Sequence, residues 1–204
     1  MKRIFTSLCC IFLASFGYTQ DTYWTIDPVH TTIGFNATHL VISEVSGKFL
    51  EFSGNVKSIN DENFSNADVS LTIFTASVDT DNAERDKHLK SKDFFDVNKH
   101  PHITFESNRI RRLQGSEYKL YGDLTINGIT KPVVLDLKHG GTIVDPIDGI
   151  TKAGFKLSGV INRYDFGLKW NIAKAAESFA VGEEVELVCN VRLNMLVDEA
   201  QGTN

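Results

Sequence analysis

Cysteine is scarce: the 204-residue chain holds three, and Cys9 and Cys10 lie in an apolar run at its start. Long apolar runs are scarce too. Ile4 to Phe16 is the most hydrophobic stretch, and it is too short to span a bilayer. Preceded by Lys2-Arg3 and followed by Gly17, Thr19 and Gln20, it reads as a signal peptide over residues 1–20, cleaved just before Gln20 or Asp21. An exported chain with no stable membrane anchor is the expectation, in the periplasm or secreted. Cleavage leaves Cys189 alone, so no intramolecular disulfide can form and the domain stands on its core. Basic charge is also in short supply. With Lys2 and Arg3 gone, 19 basic residues face 26 acidic ones, and the formal net charge moves from -5 to -7. That balance excludes nucleic acid as a partner and disfavours anionic membrane surfaces.

Recognisable catalytic motifs are missing. There is no Gly-x-Ser-x-Gly elbow, and Cys189 alternates with Leu187 and Val191 on an apolar register where a thiolate is disfavoured. Asp165-Phe166-Gly167 has no glycine-rich phosphate loop or catalytic loop to accompany it. His100 and His102, with His88 and His39, fall short of the four ligands at fixed spacing that structural zinc needs. No metal, no cofactor and no enzyme activity are therefore expected. Methionine is rare as well, 2 against 14 phenylalanines, and so many rigid rings suit a large core or the wall of an apolar cavity.

What is present is alternation. Ile33, Phe35 and Ala37 share a face; Val41 to Ser46 reads as a turn or short helix ending at Gly47; Leu50, Phe52, Gly54 and Val56 line the next strand. Asp61 to Asn66 is loop by composition, and Ala67, Val69, Leu71 and Ile73 follow as an apolar face. Further strands run from Ile103 and Phe105, through Tyr118 to Ile126, along Val133, Leu135 and Leu137, along Ala153 to Ile161, and along Val185 to Met195. Turns fall at Gln114-Gly115-Ser116, at Asn127-Gly128 and at Asp145 to Gly149. A helix-capable run lies at Ala173 to Ala176. With no repeat and no long linker, residues 22–198 form one domain. Eight long alternating segments favour an antiparallel barrel or a sandwich, which pattern alone does not separate.

One stretch breaks the rhythm. Asp81 to Glu84 resembles a capping box that starts a charged surface helix with Leu89 as its main apolar residue. Phe94 and Phe95 follow between Asp93 and Asp96. Neighbouring side chains point about 100° apart on a helix, so two such rings read as a plug rather than a buried stripe. His100-Pro101 then ends the segment.

Asp86 to Ser107 (DKHLKSKDFFDVNKHPHITFES) resembles the signature region of the YceI-like family of bacterial lipid-binding proteins. So do Trp24 to His30, Phe35 to Leu40, Gly47 to Phe49, Gly122 to Pro132 and Arg163 to Gly167, in order along the chain. His100 departs from the family pattern, which more often has an aromatic residue there. The resemblance decides for the barrel. It implies an all-β fold, an eight-stranded antiparallel lipocalin-like β-barrel with a short helical segment near residues 82–97. It also implies a polyisoprenoid or similar long-chain lipid as ligand, no catalytic centre, and a homodimer.

The tunnel such a lipid needs is expected on the inward register. Its candidate residues are Phe35, Phe52, Leu71, Ile73, Phe105, Leu124, Leu135, Phe155, Leu157 and Trp170, with Phe94 and Phe95 as the closure. Gly54, Gly122 and Gly159 lie on the same register, where missing side chains leave room, although barrel corners need glycine too. His30, His39, Arg85, Lys87, His88 and Arg163 are candidates for a head group, with ordinary solvated surface charge as the alternative for each. Rival readings are an isoprenoid quinone as ligand, a lipid-modifying enzyme, and an interaction domain with a solid core.

Overall fold

The computed structural model describes residues 21–40, 42–170 and 181–196. The leader at residues 1–20, the Ala173 to Ala176 run and the domain end at residue 198 lie outside the described residues.

Strands β1 (Thr22–Ile26), β2 (Thr32–His39), β3 (Ser43–Phe49), β4 (Phe52–Ser58), β5 (Asp68–Phe74) and β6 (Val78–Asp79) precede the helix α1 (Ala83–Leu89). After it come β7 (His102–Arg112), β8 (Glu117–Ile126), β9 (Ile129–Val144), β10 (Thr151–Asn162) and β11 (Val181–Met195). Eight of these, β1-β4-β5-β7-β8-β9-β10-β11, pair antiparallel in that order, and the ring closes where Trp24 of β1 lies opposite Met195 of β11. The expected eight-stranded barrel is therefore the fold. β8 shows why the alternation is so legible: along Tyr118 to Ile126 every second residue is buried. Its turn into β9 places Asn127 and Gly128 at φ 52° and 72°, the twist a two-residue hairpin requires.

β11 takes two partners on one edge. Its end pairs with β1 and its first half with β2, Asn190 opposite Thr32 and Val185 opposite Ala37. β1 and β2 thus act as one strand interrupted at residues 27–31, and β3 and β6 extend from β2 as a flange. The interruption is held by Asp27, which accepts from Arg192 Nε at 2.8 Å and from the Val29 N–H at 2.9 Å. Burial alone would raise the Asp27 carboxyl; the hydrogen bonds from Arg192, Val29 and His30 bring it below the usual carboxylate range.

Three local expectations are corrected. Val41 to Ser46 was expected as a turn or helix, but β3 begins at Ser43 and pairs along β2 from His39 to Ile33. Its polar sequence hides the strand because the inward place at Gly47 is filled by the Phe35 ring. Leu50 does not join the inner face of β4; it is exposed at the β3–β4 corner, where its N–H donates to the Ser77 carbonyl. The helix is capped by Asn82 rather than Asp81. Asn82 Oδ1 accepts the Arg85 N–H at 3.0 Å, and Asp81 occupies a left-handed position with φ 57°.

The glycines do not open the barrel either. A Cβ at Gly122 would lie 2.3 Å from Phe105 Cζ and 2.5 Å from the Glu106 carbonyl oxygen. At Gly54 it would meet Ile26 Cδ1 and the Ser70 carbonyl oxygen, each at 2.6 Å; at Gly159 it would meet Leu135 Cδ2 at 2.5 Å. Neighbouring side chains fold over each glycine and fill its place. Gly122→Ala should consequently lower stability by ~1–3 kcal/mol, because the Glu106 carbonyl is backbone and cannot step aside. Gly159→Ala should cost less, since only a leucine methyl has to turn. Urea unfolding of the two variants checks the order, and a stabilised Gly122→Ala would contradict it.

Candidate functional site

The side chains that the strands turn inward do not fill the barrel. They surround a cavity of about 230 Å³. Val69, Leu71 and Ile73 of β5 form one side, Ile103, Phe105, Leu120 and Leu124 of β7 and β8 the next. Leu135, Phe155, Leu157 and Leu187 of β9 to β11 face them, and Phe35 of β2 and Phe49 of β3 complete the lining named here. Among the described lining residues only Ser158, Arg163 and Cys189 carry a side-chain heteroatom.

Rings line the cavity at both ends. At the base, Phe64 from the loop before β5 is 2% exposed, meets Phe155 edge-to-face at 4.7 Å and lies 5.5 Å from Trp24. His139 stacks on Phe155 at 4.8 Å, and desolvation lowers its pKa. The loop composition gave no sign of Phe64; the only signal was a lone ring among polar neighbours. At the other end stand Leu89, Phe94 and Phe95, where the plug was expected. Phe95 meets Phe49 at 5.7 Å, its N–H donates to the Leu89 carbonyl, and Asn127 Nδ2 donates to the Phe94 carbonyl at 2.8 Å.

Phe35, Leu71, Ile73, Phe105, Leu124 and Leu135 lie in the wall, as do Phe155, Leu157, Phe94 and Phe95. Phe52, Gly54, Gly122, Gly159 and Trp170 are not among the lining residues. Phe52 is half-buried beside the wall, and the three glycines are roofed by their neighbours. Trp170 packs outside the plug, 5.3 Å from Phe94 and 4.7 Å from His88.

The head-group candidates do not converge. His30 belongs to the β1–β2 interruption, its Nδ1 beside Asp27 and the Arg192 guanidinium. His39 ends β2 at the turn into β3. Arg85 donates from Nε to Thr80 Oγ1 and from Nη2 to the Thr80 carbonyl, both at 2.7 Å. Lys87 is exposed, and His88 pairs with Asp93 at 3.0 Å.

Arg163 does reach the cavity, but its donors are spent. It is 3% exposed, and Nε donates to the Gly182 carbonyl at 2.7 Å. Nη1 donates to the Leu168 and Trp170 carbonyls, and Nη2 to the Val181 carbonyl and to Tyr164 Oη. These use all five N–H groups. Burial pulls its pKa down, yet a guanidinium stays charged. No carboxylate pairs with it among the described residues.

Cys189 is half-buried in the cavity wall, and desolvation raises the pKa of its thiol. Among the described residues no base is hydrogen-bonded to it. Among the described residues no group of three or more His, Cys, Asp or Glu could hold a metal ion.

The profile of the YceI-like domain matches residues 24–193. A UPF0312 protein of Pectobacterium carotovorum is 39% identical over 194 residues, covering 94% of this chain and 96% of the relative. The crystal structure of a Campylobacter jejuni YCEI protein, 33% identical, superposes with a TM-score of 0.64 over 77% of this chain and 88% of its own. A polyisoprenoid binding domain from Saccharophagus degradans, 12% identical, shares the fold with a TM-score of 0.62, covering 85% of this chain and 98% of that one.

Proposed function

The chain belongs to the YceI-like family, and from that premise we propose that it is a non-catalytic carrier of a polyisoprenoid or comparable long-chain amphiphile, exported by its leader. The observation that carries this reading is the cavity wall, hydrocarbon at all but three described positions. The polyisoprenoid binding of the Saccharophagus neighbour supports it. Burying a chain is worth ~0.8 kcal/mol per CH₂ before ordering costs, so several isoprene units need no charged contact. The saturated donors of Arg163 leave the wall without a free guanidinium N–H for an anionic head. That favours a head group held outside the barrel, or the neutral ring of an isoprenoid quinone as a second reading.

Extraction of the purified protein into organic solvent, followed by mass spectrometry, should recover a long-chain amphiphile. Leu71→Trp or Leu187→Trp, each placing an indole at a half-buried inward position, should lower uptake about tenfold or more while strand content is kept. Bound lipid should also shield Cys189 from an apolar thiol reagent. Unchanged uptake in both folded tryptophan variants would remove the cavity as the binding site.

A further inference from the structure

A ligand of this class is held in bilayers, and nothing in the wall shows how it crosses from membrane to barrel. The hairpin tip between β2 and β3 carries the features that bear on this crossing. Leu40 and Ile42 are 49% and 88% exposed there, on a turn fixed by the His39 carbonyl, which accepts the Ile42 N–H at 3.3 Å and the Ser43 hydroxyl at 3.0 Å. Leu40 is held at φ 51°, a left-handed position that disfavours a bulky side chain and suits glycine or asparagine. The tip keeps a large apolar residue where the backbone resists one and water gives it no partner.

The tip also adjoins the cavity. Ala37, three residues before Leu40 on β2, lines it, and Val181, opposite His39, lines it from β11. The strand segments nearest the tip, residues 43–47 and 181–187, carry Glu44, Glu183, Glu184 and Glu186 and no lysine or arginine. A surface of that charge fits an uncharged lipid interface and is repelled by an anionic one. The far end of the barrel offers a contrast. Ile147 is 94% exposed on the β9–β10 turn, near Ile143 and Val144 at 63% and 64%, but it stands between Asp145 and Asp148, both tied to Lys152 at 2.5 and 2.6 Å, and the ring of Phe64 lines the cavity on that side.

We infer that the Leu40–Ile42 tip is a membrane-docking point, inserting its two side chains at the acyl boundary of a zwitterionic bilayer so that lipid enters the adjoining cavity without crossing water. The inference rests on the carrier reading for its cargo but not for its docking. Flotation with cargo-free phosphatidylcholine vesicles reads the docking alone. The wild-type protein should float. The double variant Leu40→Ser with Ile42→Ser should bind about tenfold more weakly or worse, from the loss of two inserted side chains. Ile147→Ser should float as the wild type does, and adding phosphatidylglycerol should weaken binding. Pickup of a long-chain isoprenoid alcohol from vesicles should slow in the double variant, while its capacity for the same alcohol from detergent is unchanged. Failure of the wild type to float, equal flotation of the double variant, loss of flotation in Ile147→Ser instead, or stronger binding to anionic vesicles would each overturn the docking point. Flotation without any uptake would overturn the carrier reading and leave the docking point standing.

Discussion

Arg163→Ala should cost about 3–5 kcal/mol of folding free energy, among the largest effects of any single substitution in this chain. The guanidinium ties the Leu168 and Trp170 carbonyls on one side to those of Val181 and Gly182 on the other, at a depth where water does not replace it. Removing it leaves four main-chain oxygens without that donor, each worth about 1–3 kcal/mol when left unsatisfied in the interior, less whatever relaxation recovers. Arg163→Lys keeps the charge but offers three donors from a single point, and should recover roughly half of the loss or less. Denaturant unfolding gives the test. If Arg163 instead gripped an anionic head group, the alanine variant would unfold at the wild-type midpoint and lose only lipid affinity.

Trp24→Ala should cost a similar ~3–5 kcal/mol, for a different reason. The indole is fully buried in β1, packs against Phe64 at the base, and donates from Nε1 to Ser58 Oγ at 2.9 Å. Ser58 passes the bond on to the Asn60 carbonyl at 2.7 Å, fixing the start of the loop that brings Phe64 under the barrel. Loss of Trp24 therefore loosens the base as well as leaving a void. Combined with Phe64→Ala, the double variant should lose less than the two single losses added together, because the rings share one contact. Strict additivity in the unfolding free energies would show that the base is not one unit.

The antiparallel strands were legible because inward and outward residues alternate without a break where both faces matter; the family resemblance, not the alternation, decided for a barrel over a sandwich. Tyr118 to Ile126 is the plainest case, and Asn127-Gly128 supplied its turn. β3 was not legible, since its face is made by a ring from β2 lying over Gly47 rather than by its own residues. The same exchange defeated the reading of Gly54, Gly122 and Gly159. Period shows where a side chain is missing, but the neighbour that fills the space lies on another strand. Most of the wall followed from the inward register, and Phe94 and Phe95 from their pairing. Phe64 could not, because a loop residue has no register. Arg163 stood out in the sequence as the charge that opens the Arg163 to Gly167 segment of the family resemblance, but its acceptors are carbonyls up to 19 residues away, and main-chain oxygens leave no mark on composition.

The interrupted first strand has a consequence for the order in which the chain can fold. β1 finds one partner in β4, but its other partner is the end of β11, and Asp27 and Arg192 meet across 165 positions. β2 also waits for β11 on one side. The seam is thus made of the first and last strands among the described residues, and closing it brings together segments 165 positions apart. Barrels built on such distant pairings fold on the order of milliseconds to seconds, far slower than helical bundles of equal stability. Until β11 has left the ribosome the ring stays open, and the core that it seals is not yet locked.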